Sequence, residues 1–399
     1  MFKTIIFLVK GNYSPDIENE TAFRVCRRLL TENMDDSTKL VEISDNSYFT
    51  IKDISAYGDY KIYVFINGIV FITYKSIKEL ARILLNQNNF SFIAPVSNES
   101  EVSAQKLAPP YLYQTISVFK WVVDDIYKKF KDEIIEADNI DNFCFVCNKH
   151  VLDNFSSNVT IFDLASKAKN IGLRNGIAKG IYSHRYGNVY ESGREDLLKY
   201  INEEVRKVLD IGCARGLFGE LLKKRQKCNV TGVEFDKALA DFAYTRLDKV
   251  IIGDIEEIID ENKLDVYDCI VCGDILEHLK DPWRLLKSLR SNLIKGGTII
   301  ASVPNINNWA IIYEMLMGRW DYVPFSILSG THIRFFTRQT LIEMFMDAGY
   351  LVENVFYQSI GVHPRGNEFI KRMLKLESKL KVEELQASEI VIIARNVKS

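Results

Sequence analysis

The sequence predicts an α/β protein of two domains, and three observations predict it. Its 399 residues are more than one ordinary core serves. Short apolar and β-branched runs alternate with helix-like stretches, which implies strands covered by helices. That alternation begins afresh after a seam near residues 185–192, so the chain reads as an α/β domain over 1–187 and a second over 188–399. With 47% hydrophobic and 26% charged residues, the composition is that of an ordinary globular protein.

In the first domain, the run at 4–9 ends at Lys10 and is followed by Gly11, Asn12 and Pro15. It is too short to span a bilayer and has no small-residue cleavage site, so it is read as a first strand of a cytoplasmic protein with no membrane span. Further strands are expected at 61–66 and 90–93, with a helix at 77–85 between them. Beyond these come the stretches 142–147, 162–168 and 181–184. Seven cysteines, an odd number without a secretion signal, fit reduced thiols. The pairs Cys144/Cys147 and Cys269/Cys272 have zinc-like spacing, but each lies in an apolar run, where cysteine acts as a small hydrophobe.

The second domain is the clearer pattern. A run at 207–211 ends in a glycine-rich turn, and a helix follows at 217–224. Strands are expected at 230–233, 250–252, 269–271 and 298–303, with an amphipathic stretch at 283–293. Two more runs, 351–356 and 390–394, are placed to close the sheet. A charged helical insert at 367–384 separates them, with Phe369, Met373, Leu376 and Leu380 as its apolar positions.

The turn itself reads Asp210, Ile211, Gly212, Cys213, Ala214, Arg215, Gly216, directly between strand and helix. Backbone that passes close to a ligand needs small residues there. The next strand ends at Glu234, Phe235 and Asp236, about 20 residues on, where dinucleotide-type folds place an acid on ribose hydroxyls. The third ends at Gly253, Asp254 and Ile255, where a carboxylate can accept from an exocyclic amine. No third glycine stands at the nicotinamide-dinucleotide spacing, which leaves a dehydrogenase as the weaker rival.

These segments, with Asp274-Ile275-Leu276-Glu277-His278, Asp281-Pro282, Gly296-Gly297 and Ser302-Val303-Pro304-Asn305, resemble the class I S-adenosylmethionine (SAM)-dependent methyltransferases with Leu-Glu-His after strand four. The resemblance runs from about residue 190 to the C-terminus and implies a Rossmann-like, seven-stranded domain. It implies that Asp210 and Gly212 flank the methionine end of SAM, that Glu234 holds the ribose, that Asp254 and Ile255 frame the adenine, and that Cys213, Ala214, Gly216, Phe235 and Gly273 belong to the same cofactor site. Ala214 departs from the glycine common in that family.

Methyl transfer from a sulfonium is an in-line displacement, so the enzyme must align an acceptor and, for a hydroxyl, remove its proton. His278 suits a general base; it also suits a cap on the following helix. Asp274, Glu277 and His278 stand at i, i+3 and i+4 and face one way if helical. Their spacing resembles the metal motif of ubiquinone-pathway O-methyltransferases, which makes a divalent metal a possible second cofactor. His332 and Arg334, in a His-x-Arg-Phe-Phe segment, and Asn305 are candidate acceptor contacts, with Arg334 suited to a phosphate or carboxylate. Thr337 is placed to cap a helix at 339–348. Trp309, Trp320 and Tyr322 read as a lid or as packing.

The first domain resembles inverting GT-A glycosyltransferases, on Asp45-Asn46-Ser47, the 142–147 strand, Phe162-Asp163-Leu164 and His184. The acidic pair such enzymes need after strand 61–66 is replaced by Asn67-Gly68-Ile69-Val70, and the base position falls at Thr160-Ile161. The resemblance therefore implies a degenerate domain that binds a glycan or nucleotide sugar, or a scaffold; residual sugar transfer is the bifunctional alternative. Together the two domains imply a methyltransferase acting on a sugar, glycoprotein or sugar-linked group in bacterial surface-glycan modification. A quinone-type small-molecule O-methyltransferase and a SAM-binding regulatory module are the rivals. A net charge of −2 and no Lys/Arg stripe argue against nucleic acid. The motifs leave the oligomeric state and O- versus N-methylation open.

Overall fold

A computed structural model of the chain describes residues 3–397 except 11–15, 45–48, 88, 187–192, 262 and 325. The Asp45-Asn46-Ser47 turn, Gly11, Asn12, Pro15 and most of the 185–192 seam lie outside the described residues. The chain divides into two units, Met1–Gly187 with Tyr322–Pro324, and Asn188–Asp321 with Phe325–Ser399.

In the first unit the strands are β1 (Thr4–Val9), β2 (Thr38–Ile43), β3 (Ile62–Asn67), β4 (Val70–Phe71), β5 (Phe92–Ser97), β6 (Ile134–Ala137), β7 (Cys144–Asn148) and β8 (Asn175–Arg185). They form a mixed sheet in the order β2-β1-β3-β7-β5-β8-β4, with β6 also on β8. β1, β3 and β5 are apolar and buried nearly throughout, as strands covered on both faces must be. Helices Ile17–Thr31, Tyr74–Asn86 and Ile116–Phe130 start at side-chain caps from Asp16, Thr73 and Thr115.

The second unit carries β9 (Lys207–Ile211), β10 (Asn229–Glu234), β11 (Lys249–Ile252), β12 (Tyr267–Gly273), β13 (Leu293–Pro304), β14 (Tyr350–Gln358) and β15 (Glu389–Asn396). Their order, β11-β10-β9-β12-β13-β15-β14, makes a seven-stranded α/β sheet of Rossmann type. The first five strands in that order are parallel; β15 and β14 are antiparallel to their neighbours. Apolar clusters fill both faces of the sheet. The strand order reverses between β9 and β12, and in open α/β sheets such a switch opens a crevice at the carboxyl ends of the strands. The residues from Asp210 to Asp274 that the sequence singled out follow those ends.

The insert is not one helix. It breaks into Pro364–Leu376 and Val382–Gln386, and the first packs on the helix Trp309–Leu316. A Cβ on Gly366 would come within 2.6 Å of the Trp309 ring, and Tyr313 meets Phe369 edge to face at 5.5 Å. All seven cysteines are buried and unbridged. No helix among the described residues is long and apolar enough to cross a membrane.

Candidate active site

The glycine-rich turn is tied to the adjacent strand, since the N–H groups of Gly212 and Cys213 both donate to Val233 O, at 2.9 and 3.1 Å. Gly212 (φ 75°), Ala214 (φ 46°) and Gly216 (φ 76°) all take left-handed backbone. Glycine does so at no steric cost; Ala214 does so with a Cβ present. Asp210, at the end of β9, is 5% exposed, and its Oδ2 has no hydrogen-bond partner among the described residues. Burial, with the Glu234 charge adding to it, pushes its carboxyl up to about 7.

Glu234 closes β10. Its Oε2 accepts from Ala214 N and its Oε1 from Asp236 N, both at 2.8 Å, so the backbone orients the carboxylate while burial raises its pKa. Phe235, next in the chain, is 77% exposed, an unusual state for a phenylalanine. Beyond β11, Asp254 accepts from Glu256 N at 2.8 Å and Ile255 is buried. Gly273 ends β12 with its Cα facing Leu197, 3.3 Å from where a Cβ would stand.

A second group follows β12. Leu276–His278 is a single 3₁₀ turn, so the helical spacing expected to align Asp274 with Glu277 and His278 does not form. Asp274 sits apart at φ 52°, bound to Arg194 and accepting from Ser302 Oγ at 3.0 Å. His332 takes its place beside the other two: one ligand atom each from Glu277, His278 and His332 lie within 4.8 Å of one another. The two imidazoles meet edge to face, 4.8 Å between ring centres. The 327–334 segment is stitched to the turn, with Ile333 N and Arg334 N donating to Glu277 O at 2.9 and 3.0 Å. Glu277 is 1% exposed, and neither carboxylate oxygen has a hydrogen-bond partner in another residue. Burial and the Asp274 charge hold its carboxyl well above the usual range. Burial also pushes both imidazoles down, His332 to about 4.

Other candidates are placed less suggestively. Asn305 is fully buried, its amide donating to the carbonyls of Glu384 and Ala387 and its oxygen accepting from Asn307 N, so it closes a turn rather than facing a ligand. The Arg334 guanidinium bonds backbone carbonyls of Ile333 and Lys280. Thr337 accepts from Thr340 N at 3.3 Å and caps Arg338–Asp347. In the first unit, His184 stacks on Phe71 and bonds Tyr113, and burial holds it down to about 4.

Sequence reasoning missed Arg194 and Glu389. Arg194 reaches Asp274, Asp196, Glu389 and Ser302, and Glu389, pushed up to about 8 chiefly by burial and the Asp274 charge, joins it from β15. Neither lies in a motif. Only a charge isolated in an apolar strand, Glu389 before 390–394, gave any signal.

A family model described as a methyltransferase domain matches residues 182–355. A ubiquinone biosynthesis O-methyltransferase from Coxiella burnetii is 31% identical over 183 residues, covering 43% of this chain and 76% of the relative. The protein of the same name from Aeromonas salmonicida is 30% identical over 173 residues, 41% of this chain and 70% of its own. A solved SAM-dependent methyltransferase from Archaeoglobus fulgidus matches at 21% identity and a TM-score of 0.39, over 52% of this chain and 95% of that one.

Proposed function

This chain belongs to the SAM-dependent methyltransferases, and we propose that it methylates a hydroxyl oxygen on a sugar or sugar-linked group, with Glu277, His278 and His332 forming the acceptor pocket. The observation that carries this reading is the pair of half-sites along one sheet edge. One presents a buried carboxylate with an unpartnered oxygen, and the other presents two imidazoles beside a second buried carboxylate.

The residues present fit SAM. An Asp210 oxygen without a donor suits the cofactor's ammonium, since a buried carboxylate with no partner is costly and a charged hydrogen bond offsets that cost. Glu234, held by two backbone N–H groups, keeps lone pairs for a ribose diol. Exposed Phe235 suits the adenine face, Asp254 and Ile255 suit its edge, and the turn from Gly212 through Cys213 and Ala214 to Gly216, with Gly273, supplies backbone that can approach closely. SAM supplies an electrophilic methyl on sulfur. The protein's own part would be to align the acceptor oxygen with that methyl, with Glu277, His278 and His332 placed to take up the hydroxyl proton.

The sugar acceptor is read from the first unit, whose mixed α/β sheet accords with its resemblance to GT-A domains, here without the acidic pair after β3. On this reading residues 1–187 are a glycan-binding partner to the methyltransferase at 188–399. A quinone-type phenolic acceptor is the second reading, favoured by the names of the relatives. Methyl-labelled SAM and the purified chain, incubated with separated nucleotide-sugar, glycoprotein, quinone and nucleic-acid pools, discriminate between them. Label in the sugar or glycoprotein pool is the expected result. Label confined to the quinone or nucleic-acid pool overturns the sugar acceptor.

A further inference from the structure

After β13 the chain makes an excursion that closes at its base, where Asn305 pairs with Phe336 and Ile306 N donates to Phe336 O at 3.0 Å. The returning limb carries His332, and Ile333 N and Arg334 N tie that limb to Glu277 O. The outgoing part carries the helix Trp309–Leu316 and then Trp320. Arg319 clamps the backbone there. Its N–H donates to Glu314 O at 2.9 Å, and its Nε donates to Asp321 Oδ2 at 2.8 Å and lies 3.6 Å from Glu314 Oε2. Trp320, between these anchors, is 39% exposed and meets Phe335 edge to face, with ring centres 5.4 Å apart. Phe335 stands three residues beyond His332, so the indole lies against the limb that completes the cluster. With the planes at 84°, one ring offers its edge and the other its face, so at least one indole face stays clear of Phe335. Among the described residues no other ring or cation lies against Trp320, and its Nε1–H has no hydrogen-bond partner. Tryptophan usually buries its body and satisfies its N–H; here a fixed indole leaves a face and a donor unused.

We propose that Trp320 is a specificity-determining residue for methyl transfer, on which the acceptor's sugar ring stacks while the indole N–H donates to one of its hydroxyls. A sugar matches both halves of that offer. Its axial C–H bonds make an apolar face, and its hydroxyl oxygens, set around the rim, accept hydrogen bonds. The inference rests on the sugar reading above and names how that sugar is recognised. Stacking supplies binding and orientation, not proton transfer, so Trp320 acts on how tightly the acceptor is held rather than on the chemical step.

The test is the rate of label transfer from methyl-labelled SAM, measured against increasing amounts of the nucleotide-sugar and glycoprotein pools. The full chain is compared with Trp320→Ala, Trp320→Phe and Trp320→Leu. In Trp320→Ala the amount of pool that gives half the maximal rate is expected to rise about tenfold, with the plateau within about twofold, as loss of ground-state binding requires. Trp320→Phe restores a ring face without the N–H and is expected to recover to within about threefold of wild type. Trp320→Leu restores only bulk and stays near Trp320→Ala. SAM affinity, unchanged in all three, serves as the folding control. A half-saturation point unmoved in Trp320→Ala, or recovered equally by Leu and Phe, overturns the proposal and leaves the sugar acceptor standing. Label that enters only the quinone or nucleic-acid pool overturns the sugar acceptor, and this proposal with it.

Discussion

Asp210 shows most plainly what the site costs the molecule at the level of one residue. Its folded carboxyl sits at about 7 against an ordinary value of 3.8. A carboxyl whose folded pKa is raised stabilises the fold while protonated, so its contribution is whole below pH 3.8 and is lost as pH rises through about 7. A shift of that size corresponds to at most about 4 kcal/mol across the window. The ligand-free chain is therefore expected to melt lower at pH 8 than at pH 5, and Asp210→Asn to flatten that slope in thermal scans. A slope unchanged by the substitution would show that Asp210 is not held neutral. The motif made Asp210 legible in the sequence. Arg194 and Glu389 were not legible, because their partnership with Asp274 is made across strands and leaves no local spacing.

Among the elements, those with strong periodicity were readable and those without were not. β9 through β12 are short apolar runs ended by turns and fold where the pattern puts them, whereas β13, Leu293–Pro304, begins well before the expected 298–303. β2 reads Thr-Lys-Leu-Val-Glu-Ile at a sheet edge and the helix Ile17–Thr31 buries small residues such as Thr21, Ala22 and Cys26, so neither carries a strong apolar signal. The insert reads as one helical stretch, but no periodicity marks the break at 377–381 or the partner it packs on. Gly366 sets that packing. A Gly366→Val substitution places methyl groups into the Trp309 ring, at an expected loss of about 1–3 kcal/mol in denaturant unfolding. SAM affinity should not change, since no cofactor candidate lies on these helices. Wild-type stability in Gly366→Val would mean the two helices separate freely.

Across the molecule, one α/β pattern was read twice, and the two readings differ in depth. In the second unit the order of strand ends, each carrying a residue type suited to one part of SAM, made fold and cofactor legible together. In the first unit the same kind of alternation led to a mixed sheet, and its chemistry rests on fewer residues because the acidic positions are filled by Asn67, Gly68, Ile69 and Val70. The proposed acceptor pocket lies between these extremes: Glu277 and His278 were visible as a motif, but His332 joins them only through tertiary folding. The proposed function requires above all that SAM be held at the carboxyl edge of the second sheet through Asp210. Calorimetric titration of SAM into the wild-type chain and Asp210→Asn at about pH 8, where the carboxylate is ionised, tests it most directly. One SAM per chain is expected, weakened about a hundredfold or more in the variant, the loss of roughly 3 kcal/mol that follows removal of one partner from a buried charged pair. Equal affinity in the two proteins would contradict the account.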